Sequence, residues 1–233
     1  MSCAHHSTVE IWHIPTIPDT SIIDHLKSML SADEQLRAQQ MRIAAQRNTY
    51  ITSHVAVREI IAKHLDIPAH AVELLIDEHG KPYIQGSKPL FFNLSHTGQY
   101  ALLGLSRHCA IGIDIETIDQ QRNCLAIAKR FFSTNEYDWL RRKNPEALMT
   151  RFHQLWCHKE AYLKAKGTGL RGGLSSFTLS EKDLFDTINI NDDDNHAWYL
   201  SSIDVPSLYQ AALAVDCSNS RIDIRYWQAP EHG

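Results

Sequence analysis

Three short segments of the 233-residue chain carry side chains whose types and spacing suit metal and phosphate chemistry. In Ile111-Gly112-Ile113-Asp114-Ile115-Glu116, apolar and acidic residues alternate. On a strand, alternate side chains share a face, so the isoleucines turn one way and Asp114 with Glu116 the other. Two carboxylates that close repel unless a positive charge lies between them, and a hard cation such as Mg²⁺ takes oxygen ligands in that arrangement. A half-buried strand with a solvated polar face would read the same. The second segment runs from Leu155 to Gly169 and contains Trp156, Lys159, Glu160 and Lys164. On a helix Glu160 and Lys164 are i,i+4 neighbours, flanked by Trp156 and Lys159, with Leu155 and Tyr162 turned inward. Glu160 is suited to a cation and Lys164 to phosphate oxygens, although a solvated Glu–Lys pair has the same spacing.

The third segment is Phe91-Phe92-Asn93-Leu94-Ser95-His96-Thr97-Gly98, with a hydroxyl and an imidazole at the end of an apolar run. Both can donate to phosphate oxygens. Neighbours on an extended chain point apart, so Ser95 and His96 do not form a nucleophile–base pair with each other. A smaller feature is His79-Gly80-Lys81-Pro82. Pro82 holds Lys81 extended and Gly80 frees the turn, which presents a lysine that an anion could use.

The elements that must position these groups follow from pattern and punctuation. Val9–Ile14 reads as a strand closed by Pro15 and Pro18. Ser31-Ala32-Asp33-Glu34 and Ser133-Thr134-Asn135-Glu136 are both capping boxes, so a helix starts at each. Helical spacing runs from the first box to Leu65. Strands are predicted at Val72–Ile76, Tyr83–Ile84, Leu90–Asn93, Tyr100–Ser106 and Ala110–Glu116, punctuated by Gly80, Gly86 and Gly98. Helices are predicted over Cys124–Phe132, Thr134–Arg142 and Ala147–Lys166, the last stopped by Gly167 and Gly169. Strands return at Phe177–Ser180, Trp198–Ile203, Ala211–Val215 and Ile222–Trp227, with the acidic stretch 191–195 as a turn tip. Each half is therefore strand, helices, then strands, which favours an α+β fold over a doubly wound sheet.

Bulk properties exclude several classes. The formal net charge of −4 gives no reason to expect nucleic acid or an anionic membrane as partner. No apolar stretch approaches a membrane span, and the N-terminus lacks signal-peptide features. Five widely spaced cysteines (Cys3, Cys109, Cys124, Cys157 and Cys217) without C-x-x-C read as reduced cytosolic thiols. The 14 histidines contain no H-E-x-x-H.

Taken jointly, G-x-D-x-E, then W-x-x-K-E-A-x-x-K-A-x-G-x-G, with F-N-x-S-H and G-K-P upstream, resemble the 4'-phosphopantetheinyl transferase family, in its larger, Sfp-type form. The resemblance runs from about Ser31 to Phe177. It implies two similar halves forming an intramolecular pseudo-dimer, here divided as residues 1–108 and 109–233, with the active site in the cleft between them. It implies coenzyme A as co-substrate, Mg²⁺ (Mn²⁺ possible) as metal, an apo acyl, peptidyl or aryl carrier protein as partner, a monomer and a cytoplasmic setting. Motif by motif, Asp114, Glu116 and Glu160 match the metal site. Glu160, Lys164 and His96 match catalytic groups. Arg47, Gly80, Lys81, Pro82, Ser95, His96, Lys159 and Lys164 match the coenzyme A site. Arg58 shares the basic helix of Arg47. Glu160 or a metal-bound water is the base. Cys157 and His158 depart from the family pattern and are expected to lie off the metal face. Lys129, Arg130, Arg141, Arg142 and Lys143 suit an acidic carrier. A metal-dependent hydrolase of the coenzyme A diphosphate and a non-catalytic coenzyme A-binding module are the alternative functions.

Overall fold

Both capping boxes form. Ser31 Oγ accepts from the Glu34 amide and the Glu34 carboxylate from Ser31 N; Ser133 and Glu136 repeat the arrangement. They start α2 (Ala32–Gln40) and α5 (Thr134–Leu140). The computed structural model describes residues 8–16, 20–84, 89–168, 173–184, 187–191, 196–216 and 221–229. Pro18, Gly86, Gly169, the turn tip at 192–195, Cys3 and Cys217 lie outside the described residues.

The chain order is β1 (Thr8–Pro15), α1 (Thr20–Ser28), α2, α3 (Ala44–Leu65), a hairpin of β2 (Leu74–Ile76) and β3 (Pro82–Ile84), then β4 (Phe91–Thr97) and β5 (Tyr100–Ser106). There follow β6 (Ile111–Thr117), α4 (Cys124–Phe131), α5, α6 (Pro145–Lys166), β7 (Ile188–Asn191), β8 (Ala197–Ser202), β9 (Tyr209–Val215) and β10 (Arg221–Tyr226). Among the described residues the sheets run β10-β1-β5-β4, β2-β3 and β6-β9-β8-β7. In each half a first strand, three helices and a returning antiparallel meander share one topology. The fold is α+β, built as a pseudo-dimer. An apolar core joins the halves: Val9, Ile11 and Leu102 pack with Ile111, Ile113, Ile115, Leu213 and Val215.

Four expectations need correction. The helical stretch after Ser31 is two helices, broken at Met41–Ile43, where Arg47 donates to the Met41 carbonyl. Helix α1, which carries no box, was not anticipated. Phe177–Ser180 is not a strand, because its backbone is otherwise engaged: Phe177 O accepts from Lys159, and Leu179 N donates to Glu136. The last strand, β10, pairs in parallel with β1, and Trp227 enters the N-terminal core. Cys124 and Cys157 are free and buried, but Cys109 is disulfide-bonded, so the expectation of reduced thiols fails there.

Candidate active site

The site lies where β4 of the first half meets β6 and α6 of the second. Alternate residues of β4 face β6 and accept its backbone amides: Asn93 Oδ1 from Ile113 N at 2.8 Å, Ser95 Oγ from Ile115 N at 3.3 Å, and Thr97 Oγ1 from Thr117 N at 3.3 Å. On its other face β6 meets α6 at unusually short range. A Cβ on Gly112 would lie 2.0 Å from the Ala161 carbonyl oxygen and 2.3 Å from Ala165 N, so only glycine allows this packing.

That approach brings the acidic residues and the lysine together. Lys164 Nζ donates to Asp114 Oδ1 at 2.6 Å, to Ser95 Oγ at 3.0 Å and to the Ile113 carbonyl at 3.2 Å. Ser95 Oγ donates in turn to Asp114 Oδ1 at 3.1 Å. Burial would lower the Lys164 pKa, but Asp114, by charge and hydrogen bond, and then Glu160 raise it above the ordinary lysine value. The Glu160 carboxyl is pushed up to about 7, first by burial and then by repulsion from Asp114 and Glu116, against the pull of Lys164. Burial and Asp114 also raise Glu116, which Arg122 partly offsets from 3.4 Å.

Among the described residues no three His, Cys, Asp or Glu side chains already form a ligand cluster. The donor chemistry nevertheless fits a hard cation. Asp114 Oδ2 is buried without a hydrogen-bond partner, and both neighbouring glutamates are held toward their neutral forms, first by burial and then by the negative charge of Asp114. Asp114, Glu116 and Glu160 are the residues that would hold it.

Of the other residues anticipated from the sequence, His96 remains accessible beside Lys164. Desolvation lowers its pKa, and the positive fields of His54, Lys164 and Arg37 lower it further. Arg37 and His54 were not anticipated. His54 Nδ1 lies 3.1 Å from Glu34 Oε1, and Arg37 lies over the Tyr50 ring. They lie on two different helices, α2 and α3, and no motif marks them.

Several residues read as ligands are committed elsewhere. Ser95 is buried within the β4–β6 seam. Lys159 is fully buried, 2.7 Å from Glu136, and donates to the Leu174 and Phe177 carbonyls. It does not reach the cleft. Arg58 pairs with Glu34 at 2.7 Å and donates to Val72 O. Arg47 faces a separate surface cavity with Asp24, Lys27 and Asn48. Lys81 Nζ donates to three backbone carbonyls, those of Ile111, Lys164 and Ala165. Gly80 turns with φ of +86°, and Pro82 begins β3 beside a cavity of about 420 Å³ that reaches Phe91, Ala165 and Lys166. Cys157, expected off the acidic face, is buried beside it: burial first, then Asp114 and Glu116, raise its thiol well above the usual value. His158 is wholly buried.

Comparison with known proteins shows the family. A model described as the 4'-phosphopantetheinyl transferase superfamily matches residues 110–215, and one described as 4'-phosphopantetheinyl transferase, N-terminal, matches residues 16–108. A putative 4'-phosphopantetheinyl transferase of Synechocystis sp. is 32% identical over 94% of this chain and 85% of its own. The transferase psf-1 of Bacillus pumilus is 35% identical over 68% of each chain, and Sfp of Bacillus subtilis 28% identical over 82% of this chain and 84% of its own. The chain belongs to the 4'-phosphopantetheinyl transferase family.

Proposed function

We propose that this chain transfers the 4'-phosphopantetheine group of coenzyme A to a serine hydroxyl of an apo carrier protein, releasing adenosine 3',5'-bisphosphate. The observation that carries the reading is the convergence of Asp114, Glu116, Glu160 and Lys164 at the β4–β6–α6 junction, in a chain of this family. A divalent ion such as Mg²⁺, when bound, supplies positive charge for the diphosphate. Asp114, Glu116 and Glu160 are its ligands in this reading. Lys164, held charged by Asp114, neutralises phosphate oxygens as the leaving group develops charge. His96, with Arg37 and His54 behind it, lines the positive edge suited to the nucleotide phosphates. Glu160, or a water held by the ion, takes the proton of the attacking hydroxyl. The cavity beside Pro82 is the place for the adenosine end.

The carrier docks, in this reading, near the basic residues Lys129, Arg130 and Arg142, with Arg141 paired to Asp138 and Lys143 to Glu181. The enzyme acts as a monomer in the cytoplasm, with halves 1–108 and 109–233 less the returning β10. No helix among the described residues is long and apolar enough to cross a membrane.

The test is intact-mass spectrometry of several apo carriers incubated with the protein, coenzyme A and Mg²⁺, with an EDTA control. Expected is a gain of one phosphopantetheine, lost with EDTA and lost when the carrier serine is alanine. Consumption of coenzyme A without modification of any carrier would replace the transferase by a hydrolase.

A further inference from the structure

Lys81 belongs to the first half, yet its ammonium is spent on the second. The turn that carries it is fixed by its own backbone. Asp77 Oδ1 accepts from His79 N at 2.9 Å and Lys81 N at 2.8 Å, Asp77 N donates to Lys81 O at 3.0 Å, and Gly80 takes the left-handed conformation. Lys81 Nζ then reaches Lys164 O at 2.6 Å, Ala165 O at 3.3 Å and Ile111 O at 3.3 Å.

These carbonyls are informative. Those of Lys164 and Ala165 lie in the last turn of α6, where the macrodipole is negative and the Lys164 carbonyl otherwise accepts only a 3.3 Å bond from the C-cap Gly167 amide. Ile111 is the first residue of β6. One ammonium therefore joins the backbones of the two elements that carry the site. On the far side of this junction the Lys164 side chain meets Asp114, and the Gly112 contact sets how closely β6 and α6 approach. The Lys81 stem packs 4.0 Å from where a Gly167 Cβ would stand.

We infer that Lys81 is a positioning residue: its ammonium staples the last turn of α6 to the start of β6, so that Glu160 and Lys164 are presented to Asp114. The inference rests on the transferase reading for its kinetic consequence, but not for its structural one. A ligand role for Lys81 predicts weaker coenzyme A binding. A staple predicts a loosened helix end and slower turnover at saturating coenzyme A, because small displacements of catalytic groups are costly.

The experiment compares wild type with Lys81→Met and Lys81→Arg in the full chain. Hydrogen exchange is followed at the amides of residues 163–167, and kcat and KM are measured with coenzyme A and with 3'-dephospho-coenzyme A. For Lys81→Met the expected result is at least about tenfold faster exchange in that turn. Its kcat should fall about 10- to 100-fold, equally for both substrates, with KM within about threefold of wild type. Lys81→Arg, which retains donors, should recover part of both. Unchanged exchange and kcat with a raised KM for coenzyme A would overturn the staple and make Lys81 a ligand. Should Lys81→Met fail to fold, Lys81→Gln is read by the same criteria. If wild type transfers nothing to any carrier, the transferase reading falls, while the exchange measurement still decides the staple.

Discussion

The two long helices, α3 and α6, are the same length, 22 residues, and carry the same step: Arg58-Glu59 with Lys63, and Lys159-Glu160 with Lys164. In each half the basic residue is driven into the core to meet the capping-box glutamate of the preceding helix, Arg58 to Glu34 and Lys159 to Glu136. The difference lies in what faces the next two positions. Gly112 packs under Ala165; at the matching place in the first half, Glu10 meets His64. Counting on from there, Asp114 corresponds to Trp12 and Glu116 to Ile14. Glu59, the counterpart of Glu160, accepts a bond from Trp227 Nε1, and Arg225 of β10 pairs with Glu10 and lies over Trp12. The helical half of the motif is thus scaffold common to both repeats. What sets the second repeat apart is a strand with a glycine and two carboxylates. The C-terminal strand covers the other.

The sharpest break in this equivalence is functional. Glu160→Gln should reduce transfer by at least about 100-fold with the fold retained, the scale of losing a general base, measured as carrier modification by intact mass. Glu59→Gln should leave turnover within about twofold of wild type, since Glu59 touches no group of the site. Near-normal turnover of Glu160→Gln would remove Glu160 from the chemistry.

The close strand–helix approach gives the next contrast. Gly112→Ala places a methyl within 2.0 Å of a backbone oxygen, which no side-chain rotation relieves. A loss of about 4 kcal/mol or more in unfolding free energy is expected, beyond ordinary overpacking. Glu10→Ala at the matching place should cost about 1–2 kcal/mol, through the pairs with His64 and Arg225. Equal losses in urea denaturation would show that the two junctions are not differently packed.

The buried pairs come third. Lys159→Met leaves Glu136 uncompensated with both side chains wholly buried, an expected loss of about 3–5 kcal/mol. Arg58→Met should cost less, about 2–3 kcal/mol, because Glu34 keeps His54 and some exposure to water.

The sequence made the local rules legible. Both capping boxes, the alternation around Asp114 and the helix stop at Gly167 are set by residues within a few positions of each other. Roles that depend on distant partners were not legible. Lys159 and Glu160 are adjacent, and only the positions of distant residues decide that one is buried against Glu136 and the other faces Asp114 and Glu116. Ser95 and Lys81 have the right chemistry for phosphate, but the folded chain offers them Asp114 and the α6 carbonyls first. The duplication was visible as two capping boxes and a like order of elements in each half. The spacing from capping-box glutamate to basic–Glu step, 24 residues in the first half and 23 in the second, would have strengthened it.

The smallest effect concerns pH, and it separates the carboxyl of the first capping box from those around Asp114. Burial works against the charge of Glu34, but His54 and Arg58, with Ser31 N, hold it down to about 2. Its contribution is complete above the unfolded value near 4.5 and is lost as pH falls from there through about 2. Glu160 is raised to about 7, so its sign is opposite. Its neutral form fits the metal-free fold, and stability is lost as pH rises from about 4.5 through about 7. Glu116 shifts in the same direction. In EDTA, wild type should therefore lose about 2 kcal/mol more unfolding free energy between pH 5 and 8 than Glu160→Gln does, since His13, His96, His153 and His158, whose pKa values desolvation lowers, tilt both proteins alike in the opposite direction. Glu160→Gln should leave the acid limb intact, whereas Glu34→Gln should remove it and keep the loss above pH 5. Millimolar Mg²⁺ should recover stability at pH 8 in wild type and much less in Glu160→Gln, because a cation relieves the same repulsion. A decline unaffected by Glu160→Gln would mean that the three carboxyls are not coupled as their placement requires.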